Sequence, residues 1–106
     1  MNLIKEKWEI ILERCIEDDV NDWNNLKKLH DKLGTDDEMS EKSEDESILR
    51  SLKYESETAD ELIIGTNALL VMTITGQIPR YERYFEEELF KEFGKKYTVK
   101  IKNLNK

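Results

Sequence analysis

One cysteine, one proline, one histidine and four glycines are all that this 106-residue chain holds of those types. Each scarcity excludes something. A single thiol, Cys15, cannot close an intramolecular disulfide, so no disulfide scaffold exists and a reducing, cytoplasmic setting is expected. Cys15 falls within an apolar helical stripe between Glu13 and Glu17, which suits a small buried hydrophobe better than a reactive thiol. Gly34, Gly65, Gly76 and Gly94 stand apart and form no phosphate-cradling loop, and with one proline they exclude collagen-like and low-complexity classes. His30 has no second histidine with which to share a metal, and its neighbour Asp31 points elsewhere on a helix. The longest apolar runs, Leu62–Ile64 and Ala68–Met72, are far short of the roughly 20 residues that span a bilayer. The first seven residues carry charge and no apolar core, unlike a signal peptide. GxSxG, HExxH, CxxC and dinucleotide fingerprints are all missing. The chain therefore reads as a non-enzyme with no catalytic residue, no cofactor and no metal.

What the sequence has is charge. Seventeen Lys or Arg face 24 Asp or Glu, for a net −7, and charged residues make up 39% against 38% hydrophobic. That length leaves room for one domain, residues 1–106. A net negative chain is a poor match to a phosphate backbone over its whole surface. Thirteen lysines to four arginines, with frequent Ile and Asn, point to an AT-rich, bacterial or phage source.

Hydrophobic spacing predicts the elements. Leu3, Ile4, Trp8, Ile11, Leu12, Cys15 and Ile16 recur at helical steps, with Lys5, Glu6, Glu9, Glu13 and Glu17 on the polar face. Asp18-Asp19-Val20-Asn21-Asp22 competes with helical hydrogen bonding and predicts a break there. A second helix is then expected to Leu33, burying Trp23, Leu26, Leu29 and Leu33, with Gly34 as its left-handed stop. One unbroken helix is the alternative. Residues 35–47 hold seven acids, one lysine and three serines. With Met39 as their only apolar residue they predict a mobile acidic loop. Ser40, Ser43 and Ser47 lie among the acids, in a setting open to phosphorylation.

Alternation over 48–54 and the β-branched residues between Ile63 and Thr75 favour strands, with a turn at Gly65-Thr66-Asn67. The competing helical reading of 58–75 rests on a Thr58…Glu61 capping box and a Gly76/Pro79 stop. Residues 79–93 predict a helix with Pro79 at its first turn, an apolar face of Tyr81, Tyr84, Phe85, Leu89 and Phe93, and Gly94 at its end. In 97–102, Tyr97, Val99 and Ile101 alternate with Thr98, Lys100 and Lys102, as in a half-buried edge strand. The order α-α-β-β-α-β predicts an α+β fold, two N-terminal helices and a small, mainly antiparallel sheet with one long later helix and a final strand. An all-α chain is the alternative.

Candidate contact residues follow from charge and exposure. Asp36, Asp37, Glu38, Glu44, Asp45 and Glu46 form an acidic segment suited to a basic partner surface. The alternating acids and central glycine of a calcium loop are missing from it. Phe90 projects toward the polar side of its helix and is a candidate interface anchor. Glu82 falls inside the apolar arc of the same helix, where a carboxylate is either an acid–base group or a rim residue with its head in water. No second group accompanies it, and the rim reading is preferred. Residues 95–106 carry five lysines and no acid, which makes Lys95, Lys96, Lys100 and Lys102 the alternative, nucleic-acid contacts.

These features predict a small acidic protein-binding module, cytoplasmic, of the inhibitor, immunity or phage and mobile-element kind, engaging a basic protein surface. The alternative is a replication- or nucleic-acid-associated accessory domain. From Leu69 onward, "Ile-Pro-Arg-Tyr…Glu-Leu-Phe-Lys-Glu-Phe-Gly…Val-Lys-Ile" resembles the last part of the N-terminal domain of bacterial replication initiators and KH-like helicase loaders. The resemblance implies a β-α-β end. A homodimer through the first 33 residues is a third expectation, because Trp8 and Trp23 are large for a small core.

Overall fold

A computed structural model describes residues 3–34, 40 and 42–104. Helix α1 (Leu3–Leu33) and helix α2 (Glu44–Arg50) lead into strands β1 (Lys53–Glu57) and β2 (Glu61–Thr66). Helices α3 (Leu69–Ile74) and α4 (Ile78–Phe93) then cross over to strand β3 (Thr98–Asn103). The class is α+β, as the sequence predicts, with one long and one short helix ahead of the sheet.

The sheet has the order β1-β2-β3. β1 pairs antiparallel with β2, and a bulge between Tyr54 and Ser56 leaves Glu55 without a Cα partner. β2 pairs parallel with β3, from Glu61↔Thr98 to Thr66↔Asn103. The sheet is therefore mixed rather than mainly antiparallel. Parallel neighbours need a long crossover, and α3 with α4 supplies it.

One face of the sheet carries the core. Leu62, Ile64 and Thr66 of β2 and Val99 and Ile101 of β3 are buried at alternate positions. They meet Trp8, Ile11 and Leu12 of α1, Ile48 and Leu49 of α2, Met72 of α3, and Tyr81, Phe85 and Leu89 of α4. Trp8 and Phe85 meet edge to face at 5.7 Å. Lys7 and Arg14 reach Glu92 across the α1–α4 seam at 3.4 and 3.7 Å.

Four expectations are corrected. The acidic stretch at 18–22 does not break α1, which runs unbroken over 31 residues. Asp and Asn cost only a few tenths of a kcal/mol each in a helix interior, and no glycine or proline enforces a stop. The loop expected over 35–47 ends early, because Glu44 opens α2. Ser43 is its N-cap, accepting from the Glu46 N–H at 3.0 Å and donating to Asp19 at 2.5 Å. The strand expected from Ile48 begins at Lys53. The strand expected beyond Asn67 is the short helix α3, where the Thr73 hydroxyl donates to the Leu69 carbonyl at 2.8 Å. The β-α-β end therefore starts at β2 and not at Leu69.

A fifth difference concerns burial. Leu26, Leu29 and Leu33 are 51%, 53% and 69% exposed, not buried, and Trp23 is only half-buried. The second half of α1 is met at Trp23, whose indole N–H donates to the Ser40 carbonyl at 2.9 Å, and at Asp19, which accepts from Ser43.

Candidate functional site

The carboxylates divide into those that hold the fold and those that face water. Glu82 and Glu86 sit one turn apart on α4, on the side facing β3. The even-numbered amides of β3 point toward β2, and those of Val99 and Ile101 point the other way. Val99 N–H donates to Glu86 Oε2 at 3.0 Å and Ile101 N–H to Glu82 Oε2 at 2.9 Å. The preferred rim reading of Glu82 is therefore incomplete: its head accepts a main-chain hydrogen bond. Glu86 was not singled out by the sequence. Its i,i+4 spacing from Glu82 beside an alternating strand was the available signal.

The acidic segment is not one solvated patch. Asp36, Asp37 and Glu38 lie outside the described residues. Glu44 is exposed, and Asp45 is half-buried within hydrogen-bond reach of Tyr81. Glu46 is buried and receives Arg50 Nε at 2.7 Å. As a first-turn acid it also complements the positive end of α2. Ser43, with its hydroxyl committed at the cap, is buried as well.

A more continuous acidic surface lies on the outer face of α1. Glu6, Glu9, Glu13 and Glu17 follow at steps of three and four and are all exposed. None of them makes an ion pair among the described residues. Ile10, 49% exposed, stands beside Glu6, Glu9 and Glu13 at a shallow cleft of about 340 Å³. Sequence reasoning assigned these acids to a solvated polar face, and only Ile10 within that face hinted at more.

The aromatic and basic candidates meet elsewhere. Phe90, 48% exposed, shares a cleft of about 290 Å³ with Glu86, Lys96, Tyr97 and Thr98. Two of the four candidate lysines have acid partners. Lys95 Nζ lies 2.6 Å from the Ala59 carbonyl and 3.2 Å from Asp60, and also sits 5.1 Å from the Tyr97 ring centre. Lys100 pairs with Glu61 at 3.8 Å. Lys96 and Lys102 are exposed.

Between α1 and β1 lies a larger groove of about 530 Å³, whose lining includes Lys5, Trp8, Glu9, Glu13, Lys53 and Tyr54. Its charges are mixed, and Lys5 lies 5.5 Å from the Tyr54 ring centre. The Trp8 indole N–H is buried with no acceptor among the described residues.

Cys15 is half-buried beside Tyr84. Burial pushes its thiol pKa up, the nearby Asp19 and Asp18 push the same way, and a hydrogen bond with Tyr84 opposes them. A thiol held protonated is a poor nucleophile. Among the described residues no group of three or more His, Cys, Asp or Glu could hold a metal ion. No helix among them is long and apolar enough to cross a membrane.

No protein-family model, no curated protein and no solved structure matches this chain.

Proposed function

We propose that this protein is a non-enzymatic binding module that engages a basic protein surface, in the manner of an inhibitor, immunity protein or small adaptor. The observation that carries the reading is the Glu6-Glu9-Glu13-Glu17 ridge on α1, with Ile10 exposed among its carboxylates. An array of exposed acids steers a basic partner and sets a salt-sensitive encounter rate, and an apolar side chain among them supplies area that excludes water. The cleft at Phe90, with Lys96 and Tyr97, is a second contact region of the same module.

The test is capture of partners from host lysate by the full chain at low and high salt, with and without nuclease. The comparison is a variant carrying Glu6→Gln, Glu9→Gln and Glu13→Gln. A stoichiometric basic protein retained by the wild type, lost at high salt and lost in the variant supports the reading. Capture that disappears with nuclease moves the function to nucleic acid and to Lys96 and Lys102. A partner held equally by wild type and variant refutes the role of the α1 ridge.

A further inference from the structure

The groove between α1 and β1 has an apolar floor and charged walls that do not satisfy one another. Trp8 and Leu12 of α1 and Leu52, just ahead of β1, are buried along it. Lys5, Glu9 and Glu13 follow at steps of four on the α1 side, and Lys53 stands on the β1 side. Opposite charges four apart on a helix are placed to pair. None of these four makes an ion pair among the described residues. Lys5 instead lies 5.5 Å from the Tyr54 ring centre.

The groove also has a direction. Lys5 meets Tyr54 at one end. At the other, Glu13 shares a cleft with Arg50, which precedes Leu52 in the chain. The walls therefore run from an ammonium at Lys5 to a carboxylate at Glu13, with the apolar floor between them. A ligand of one sign would be attracted at one end and repelled at the other, whereas a zwitterion matches both. Lys5 and Glu13 are separated by about 12 Å along the helix axis. An extended chain covers about 3.3–3.6 Å per residue, so three residues bring an amino end to Glu13 and a carboxyl end to Lys5. A volume of about 530 Å³ lies within the range of small-ligand sites.

We propose that this groove binds a short peptide with both ends free, three residues long, with an apolar side chain in the middle. Its carboxylate lies at Lys5, its ammonium at Glu13, and its central side chain covers Leu12 and Leu52. A main-chain carbonyl is also the kind of acceptor that the buried Trp8 indole N–H lacks. The peptide is held by its ends and by the floor, not by adding to the β1 ladder. The site goes beyond the basic-partner reading, since Glu6, Ile10 and Glu17 of the acidic ridge lie outside the groove.

Titration of the isotope-labelled full chain with alanyl-leucyl-alanine tests it through the two indole N–H signals. The Trp23 indole donates to the Ser40 carbonyl and serves as the internal reference. The Trp8 signal should shift saturably, with a dissociation constant on the order of 1 mM, while that of Trp23 stays still. Acetylating the amino end or amidating the carboxyl end each weakens binding about threefold or more. Leucine alone, too short to reach both ends, binds more weakly than the tripeptide. Lys5→Met weakens the free tripeptide about threefold and leaves the carboxyl-amidated one unchanged, which a merely structural role of Lys5 would not do. Glu6→Gln, in the ridge but outside the groove, binds as the wild type does, so failure of the ridge and failure of the groove are told apart. A Trp8 signal that stays still up to about 20 mM peptide, moves equally for the doubly blocked peptide, or saturates as readily with leucine overturns the proposal.

Discussion

Replacing Glu82 and Glu86 is the sharpest test of how α4 holds β3. Each carboxylate accepts one β3 amide at 2.9–3.0 Å, and both side chains are half-buried. A hydrogen bond to a charged group contributes about 1.5–3 kcal/mol when its loss leaves the partner without an acceptor. Water can reach part of each site, so the lower end applies. Glu82→Ala or Glu86→Ala should then cost about 1.5 kcal/mol each, and the double variant about 3 kcal/mol. For a domain of this size that corresponds to a fall in Tm of roughly 6–12 °C per single variant. Glu82→Gln keeps an acceptor and should lose about half as much. Glu87→Ala, on the exposed side of the same helix, is the control and should stay within about 0.5 kcal/mol of wild type. Urea denaturation read by tryptophan fluorescence gives the energies. Amide exchange gives the location, since Val99 and Ile101 should be protected in the wild type and lose protection one at a time with Glu86 and Glu82. If Glu82→Ala and Glu86→Ala behave like Glu87→Ala, or if exchange at Val99 and Ile101 is unchanged, the carboxylates do not hold the strand.

Other outcomes follow from single features. Trp8→Ala empties the centre of the core beside Phe85 and should cost about 3–5 kcal/mol, which calorimetry would record as a large fall in Tm. Trp8→Phe removes the partnerless indole N–H and should cost clearly less. A Cβ at Gly65 would stand 2.7 Å from Leu104 Cγ and 2.9 Å from Glu55 Cγ, so Gly65→Ala should cost about 1–3 kcal/mol. Leu104→Ala should recover part of that loss in a double-mutant cycle. Burial and the neighbouring Cys15 push Tyr84 up to about 12 from its ordinary value of 10. A folded-state value above the unfolded one means the contribution is complete below pH 10 and is lost as pH rises through about 12. Urea midpoints should fall across that window in the wild type and fall less in Tyr84→Phe.

Some of this was legible from residue order and some was not, for identifiable reasons. Helix α4 was plain because its signals agree: Pro79 in the first turn, an apolar stripe at steps of three and four, and Gly94 at φ +66°. Strand β3 was plain because strict alternation over six residues leaves little choice of face. Ser43-Glu44-Asp45-Glu46 also fits a capping box, but the surrounding acids masked it. At Thr58-Ala59-Asp60-Glu61 half of the box forms, the Glu61 N–H donating to Thr58 Oγ1 at 3.1 Å, while the Thr58 N–H donates to the Glu61 main-chain carbonyl and closes a hairpin turn rather than opening a helix. A local hydrogen bond is compatible with either outcome, and sheet pairing decided between them. The exposure of Leu26, Leu29 and Leu33 was hidden because periodicity reports which face is apolar, not whether anything lies against it. Among the candidate contacts, the sequence identified Phe90 as outward-facing. It treated the acids of 44–46 as equivalent, although Glu46 alone of them is buried, paired with the exposed Arg50.

The two borders of the sheet have a consequence for how this molecule meets others. An exposed strand border is a template on which any passing extended segment can add and from which aggregates grow. Here β3 presents amides already occupied by glutamates from its own helix. At the opposite border β1 is short, charged at Lys53, Glu55 and Glu57, and thrown out of register by its bulge. Neither side offers the flat ladder that promiscuous strand addition requires. Association by strand addition is thereby disfavoured at both borders, and a contact made there falls to side chains rather than to backbone.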